Sequence, residues 1–150
     1  MNRMSYKFKF QKVMSIKENE KNQVLADYKS SVKEFEEAAK SLYESLKKKE
    51  TLEEDQRQQL QSGLSIQSIR HQQSFITGLE KTIMYYQQLV IKARNKMQQL
   101  QAILTEKNIE VKKYEVMHEK DFAVYEGQIK MQESQMMDEI SIQQFMSKGR

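Results

Sequence analysis

The chain has no cysteine, no proline and no tryptophan among its 150 residues. Without cysteine there is no disulfide framework, no thiolate nucleophile and no thiolate metal ligand. Average usage, roughly 5% proline, would place about seven prolines in a chain of this length. With none, nothing interrupts the backbone hydrogen-bond ladder, and very long helices are open to it. Glycine is scarce, four isolated residues, which excludes a glycine-rich phosphate-binding loop. No apolar run approaches the roughly 20 residues that cross a bilayer. The N-terminus is basic but lacks the apolar core of a secretory signal. These absences lead to the expectation of a soluble cytoplasmic protein that does not use the general secretory route.

What is present is ordered by position. Hydrophobic residues make up 38% and charged residues 31%, too little apolar matter for a thick globular core but enough for a thin seam between long helices. Ile76, Leu79, Ile83, Tyr86, Val90, Ala93, Met97, Leu100 and Leu104 follow one another at three- and four-residue steps. The same count continues through Lys107, Val111, Tyr114, His118, Asp121 and Tyr125. A seven-residue repeat held this long describes a helix that buries one narrow stripe against another helix.

The earlier part repeats less regularly. Phe10, Val13, Lys17, Glu20 and Val24 share one register; Tyr28, Ser31, Phe35, Ala38 and Leu42 share a second. The change between them reads as a four-residue insertion that locally unwinds a supercoil. Tyr6, Phe8 and Phe10 alternate ahead of it as a short lead-in packed on the first turn. One stop signal stands between the two patterns, Gln61-Ser62-Gly63-Leu64-Ser65. Gly63 can take the left-handed conformation that closes a helix, and the Ser65 hydroxyl can cap the next one. The expected architecture is all-α, one elongated coiled-coil domain over residues 1–150. Its first helix runs from about 8 to 60, its turn from 61 to 65, and its longer second helix from 66 to about 146.

A short connector makes such helices antiparallel, so facing residues carry numbers that add to about 126, twice the position of Gly63. Phe35 then lies near Ile91, Leu42 near Met84, Phe10 near Val116 and Tyr6 near Lys120. Everything beyond roughly Phe122 is left without a partner in its own chain. That overhang carries Phe122, Tyr125, Ile129, Met131, Met136, Met137, Ile140, Ile142, Phe145 and Met146. Exposed apolar stripes mark partner surfaces, and methionine suits adaptable ones. The overhang is therefore read as inserting into another protein. Self-association through the same stripe, as in a generic homodimeric coiled-coil scaffold or adaptor, is the alternative.

No catalytic or metal constellation emerges. His71 and His118 stand far apart and without supporting ligands. Glu36-Glu37 and Glu53-Glu54-Asp55 read as solvated helix faces rather than as acid–base pairs. Lys107 and Asp121 fall on the seam, where a polar residue fixes register. No enzyme, cofactor, metal or small-molecule substrate is expected. The formal net charge is +4, and Arg3, Lys7, Lys9, Lys12 and Lys17 precede the first acid, Glu18. Acids are interspersed from there on, and Lys47-Lys48-Lys49 stands alone near the hairpin end. A nucleic-acid binder would align its basic residues along one face, so no nucleic acid is expected and an acidic protein partner fits the basic N-terminus. At the start of the second helix Phe75, Leu79, Thr82 and Tyr86 form a row, with Met84 and Tyr85 off it. These exceed what one seam needs and are either ordinary exposed side chains or a second docking patch.

The N-terminal Tyr6-Lys7-Phe8-Lys9-Phe10-Gln11-Lys12-Val13 and the following Lys17-Glu18-Asn19-Glu20-Lys21 carry a family resemblance. So do the segments around Phe75, Ile76, Leu79, Glu80 and Ile83, from Leu104 to Tyr114, and from Asp138 to Phe145. Together these segments resemble the FliJ family of the flagellar type III protein-export apparatus, in the form found in Bacillus-type bacteria. The resemblance implies a two-helix antiparallel coiled coil similar to the central stalk of rotary ATPases. It also implies that the paired helix termini enter the centre of a hexameric export ATPase. Tyr6, Phe8, Phe10, Phe122, Tyr125, Ile129, Met136, Ile140 and Phe145 are the corresponding candidates. A surface nearer the hairpin meets the cytoplasmic domain of the membrane export gate, and its matching positions are Leu42, Phe75, Leu79, Thr82 and Tyr86. Ala38, Ser45 and Lys49 depart from the family's pattern on the first helix. The resemblance further implies dealings with export chaperones. It implies a peripheral location on the inner face of the cell membrane at the flagellar base, and a part in motility and chemotaxis.

Overall fold

The computed structural model describes residues 6–63 and 65–149. Arg3 of the basic N-terminus and Leu64 of the expected turn lie outside the described residues. Two helices account for the fold, α1 over Gln11–Gln61 and α2 over Ile66–Lys148. They pack as an antiparallel coiled-coil hairpin whose second helix is the longer, 83 residues against 51. No strand occurs among the described residues.

The ends follow from local chemistry. α1 opens at Gln11 rather than at residue 8. Phe8, Lys9 and Phe10 form a turn ahead of it, in which the Gln11 N–H donates to the Phe8 carbonyl at 3.1 Å. The Met14 N–H then donates to the Phe10 carbonyl at 2.8 Å, the four-residue step that starts the helix. At the connector Gly63 has φ +84°, the left-handed conformation the stop signal requires. The Ser65 hydroxyl accepts from the Ser68 N–H at 3.3 Å, which satisfies one of the orphan donors of α2.

Packing divides the chain into two units. One joins the N-terminal segment through Asn22 to the chain from Glu106 onward; the other is Gln23–Thr105. Within the first unit Lys17 pairs with Glu110 at 3.4 Å and Glu20 with Lys107 at 3.2 Å. Within the second, Glu34 pairs with Lys96 at 3.2 Å and Lys49 with Glu80 at 3.4 Å, and Gln72 donates to Gln59. In each unit one number rises as the other falls, the signature of antiparallel neighbours.

The seam is thin. Among the described residues Ile76, Ile83, Val111, Met14 and Phe8 are the buried apolar side chains, and the intervening heptad positions of α2 are half-buried from Leu79 through His118. Asp121 is the exception and is exposed. From Phe10 into α1 a run of covered positions, Phe10, Met14, Lys17, Lys21, Val24, Tyr28, Ser31, Phe35, Ala38 and Leu42, follows alternating steps of four and three, and Glu20, Leu25 and Ser41 beside it are half-buried as well. Met14 (8% exposed), not Val13 (37%), fills the first core position. Among the described residues Ser31 is the most enclosed, its hydroxyl donating to the Tyr28 carbonyl at 2.7 Å.

Candidate functional site

In the first unit the lead-in is held by an aromatic clasp. The Tyr6 ring centre lies 5.0 Å from that of Tyr125, 5.1 Å from Phe122 and 5.9 Å from His118, the last pair stacked. Phe8 sits 4.8 Å from His118 and 5.8 Å from Phe10, and Phe10 meets Tyr114 at 6.2 Å. An edge-to-face pair such as Phe8 and Phe10 contributes about 0.5–1.5 kcal/mol beyond the area it buries. The Tyr6 hydroxyl donates to Asp121. Burial, that hydrogen bond and the nearby carboxylate charge together push the phenol up to about 12. Tyr6, Phe8, Phe10, Phe122 and Tyr125 are thus brought together, and their rings spend much of their surface on one another.

Beyond the clasp cover ends abruptly. Ile129 is half-buried, and every residue from 130 to 149 is exposed although the helix continues to Lys148. Met136 is 62%, Ile140 45% and Phe145 80% exposed. An isolated helical stretch is marginal in water, so an exposed apolar one is a surface in want of a partner.

Four charges share the seam elsewhere in the first unit. Lys17 lies 3.7 Å from Glu20 as well as facing Glu110, and Lys107 lies 3.8 Å from Glu110 as well as facing Glu20. Glu110, then Glu20, raises the Lys17 ammonium above its ordinary range. The hydrogen bond from Lys107 is the main cause that lowers Glu20.

In the second unit an open groove of about 700 Å³ runs between the helices. Phe75, Leu79, Thr82 and Tyr86 line it from α2, with Ser41, Ser45 and Lys48 from α1. Lys48 Nζ stands 5.4 Å over the Phe75 ring, and the Thr82 hydroxyl donates to the Gly78 carbonyl at 3.3 Å. Leu42 is half-buried and is not among the groove's lining residues. The groove exists because Ser41, Ser45, Ser74 and Gly78 are small where the helices face each other. Sequence reasoning missed the part these four play; their four-residue spacing on each helix was the available signal. Among the described residues no cluster of histidine and carboxylate side chains could hold a metal ion, and no helix is long and apolar enough to cross a membrane.

A family model described as Flagellar FliJ protein matches residues 6–150. The chain belongs to the FliJ family. The flagellar FliJ protein of Bacillus subtilis (strain 168) is 53% identical over 146 residues, covering 97% of this chain and 99% of that relative. No solved structure matches significantly. The FliJ match spans both the clasp and the groove, so neither is an addition to the family's length.

Proposed function

We propose that this FliJ chain is a non-enzymatic, stalk-like component of the flagellar type III protein-export apparatus. Its clasped helix termini and uncovered C-terminal helix bind the centre of the hexameric export ATPase. Its groove along Phe75, Leu79, Thr82 and Tyr86, with Leu42 beside it, binds the cytoplasmic domain of the membrane export gate. It works in the cytoplasm, peripherally attached at the inner face of the membrane at the flagellar base, and export chaperones are further partners. Motility, and chemotaxis through it, depend on that work.

The observation that carries this reading is the exposure of every residue from 130 to 148 within a continuing helix that bears Met136, Ile140 and Phe145. Family membership supplies the setting. The test is truncation after Ile129, which leaves the clasp whole. Binding to the purified ATPase should fall by at least tenfold (about 1.4 kcal/mol) with helicity per residue retained; unchanged binding refutes the ATPase assignment. Phe75→Ala with Leu79→Ala should separately abolish gate binding and motility. A folded double variant that keeps both removes the groove from the mechanism.

A further inference from the structure

The first unit carries a second apolar stripe that the hairpin does not use. Ile109, Met117, Val124, Met131, Ile142 and Phe145 are all exposed, between 40% and 80%. At about 100° per residue they share one face of α2, roughly 140° around from the seam. The stripe therefore runs along the outside of the paired region and on into the overhang, over about 54 Å at 1.5 Å per residue.

Charge along this face is divided. Lys113 and Lys120 lie in line with its first half and Asp138 with its second, and none of the three forms an ion pair among the described residues. Near the midpoint is Gly127, exposed, with open space where a Cβ would project. A glycine inside a helix weakens it relative to alanine, and no packing within this chain calls for one here. A second backbone approaching closely would.

We infer that this outer face is a self-complementary seam through which two copies of the chain pair antiparallel about Gly127. In that register Val124 of one copy faces Met131 of the second, and Ile109 faces Met146. Asp138 faces Met117 and falls between Lys113 and Lys120, each about one helical turn away. A two-fold axis makes each such contact occur twice. The seam-facing residues Ile129, Met136 and Ile140 remain free, so the pairing uses a different face from the one aligned with the hairpin core and shares with the ATPase surface only Phe145. The inference does not depend on the export reading.

Sedimentation equilibrium on the full chain tests it. The mass should rise with concentration from 17.9 kDa toward twice that value. Asp138→Lys should raise the dimer dissociation constant about tenfold, since like charges then meet twice. Adding Lys113→Asp and Lys120→Asp should restore it. Because the chain has no cysteine, Gln128→Cys beside the axis should form a disulfide-linked dimer on mild oxidation, whereas Glu115→Cys on another face should not. A mass that stays monomeric at every concentration overturns the inference. So does a dimer indifferent to Asp138→Lys, or equal cross-linking at both positions. All these substitutions are at exposed positions, and circular dichroism verifies that each variant is folded. A chain that stays monomeric at every concentration yet binds the ATPase rejects this pairing alone.

Discussion

The Tyr6 hydroxyl donates to Asp121 Oδ2 at 2.8 Å, across 115 positions of sequence. That bond ties a non-helical lead-in to the outer half of the second helix. Its pH dependence has a definite sign. The phenol is raised from its ordinary 10.0 to about 12, so the bond's contribution is complete below pH 10 and is lost as pH rises through about 12. A difference absorbance titration, wild type minus Tyr6→Phe, should show one phenolate forming near 12. The variant should also lose protection of the lead-in against proteolysis at neutral pH. A difference titration centred near the ordinary value, with unchanged protection, would mean that the clasp holds without this bond.

The four-charge cluster predicts a plateau. Glu20 is lowered, so its contribution is present above the ordinary carboxylate value of 4.5 and is lost as pH falls through its lower folded value. Lys17 is raised, so its contribution is present below the ordinary 10.5 and is lost as pH rises through its higher folded value. Thermal unfolding should therefore show little pH dependence from this cluster between those limits. Glu20→Gln should flatten the acid limb, and Lys107→Glu, which crowds carboxylates around Lys17, should lower the melting temperature. An acid limb as steep in Glu20→Gln as in the wild type would assign it to other groups.

Much of the hairpin was legible because its periodicity is long and unbroken. Ile76 and Ile83 are buried where the repeat put them, and Gly63 and Ser65 mark the turn. The α1 register was harder to read, because Val13 and Met14 are adjacent and both apolar. Only packing shows which one points inward. The groove was illegible for a related reason: Ser41, Ser45 and Gly78 matter through the volume they leave empty. The lead-in's aromatics were anticipated as packed, whereas their partners His118 and Tyr114 depend on a register that counting fixes only to within a turn.

The connector should be sensitive to backbone rather than to packing. Gly63 has a positive φ and nothing within 4 Å of its would-be Cβ. Gly63→Ala therefore meets no clash but must hold a left-handed residue, at a cost of about 1–2 kcal/mol. Ser65→Ala removes a cap worth about 1 kcal/mol. Urea unfolding of each variant checks these figures. A neutral Gly63→Ala would show that the turn relaxes into another conformation without penalty.

Stability and partner binding should separate along α2. Ile83 is 6% exposed and Ile140 is 45% exposed, on the same helix. Truncating a buried isoleucine costs about 2–5 kcal/mol, and the thin seam favours the lower end of that range because neighbouring side chains and water can close on the gap. An exposed substitution stays within about 0.5 kcal/mol. Ile83→Ala should lower the urea midpoint markedly, whereas Ile140→Ala should leave it unchanged and weaken only what binds the C-terminal helix. Comparing the two variants by denaturation and by binding to the ATPase decides the matter. An Ile140→Ala variant as destabilised as Ile83→Ala would mean that the terminal helix is already packed in the free protein, and that its exposure is not what a partner reads.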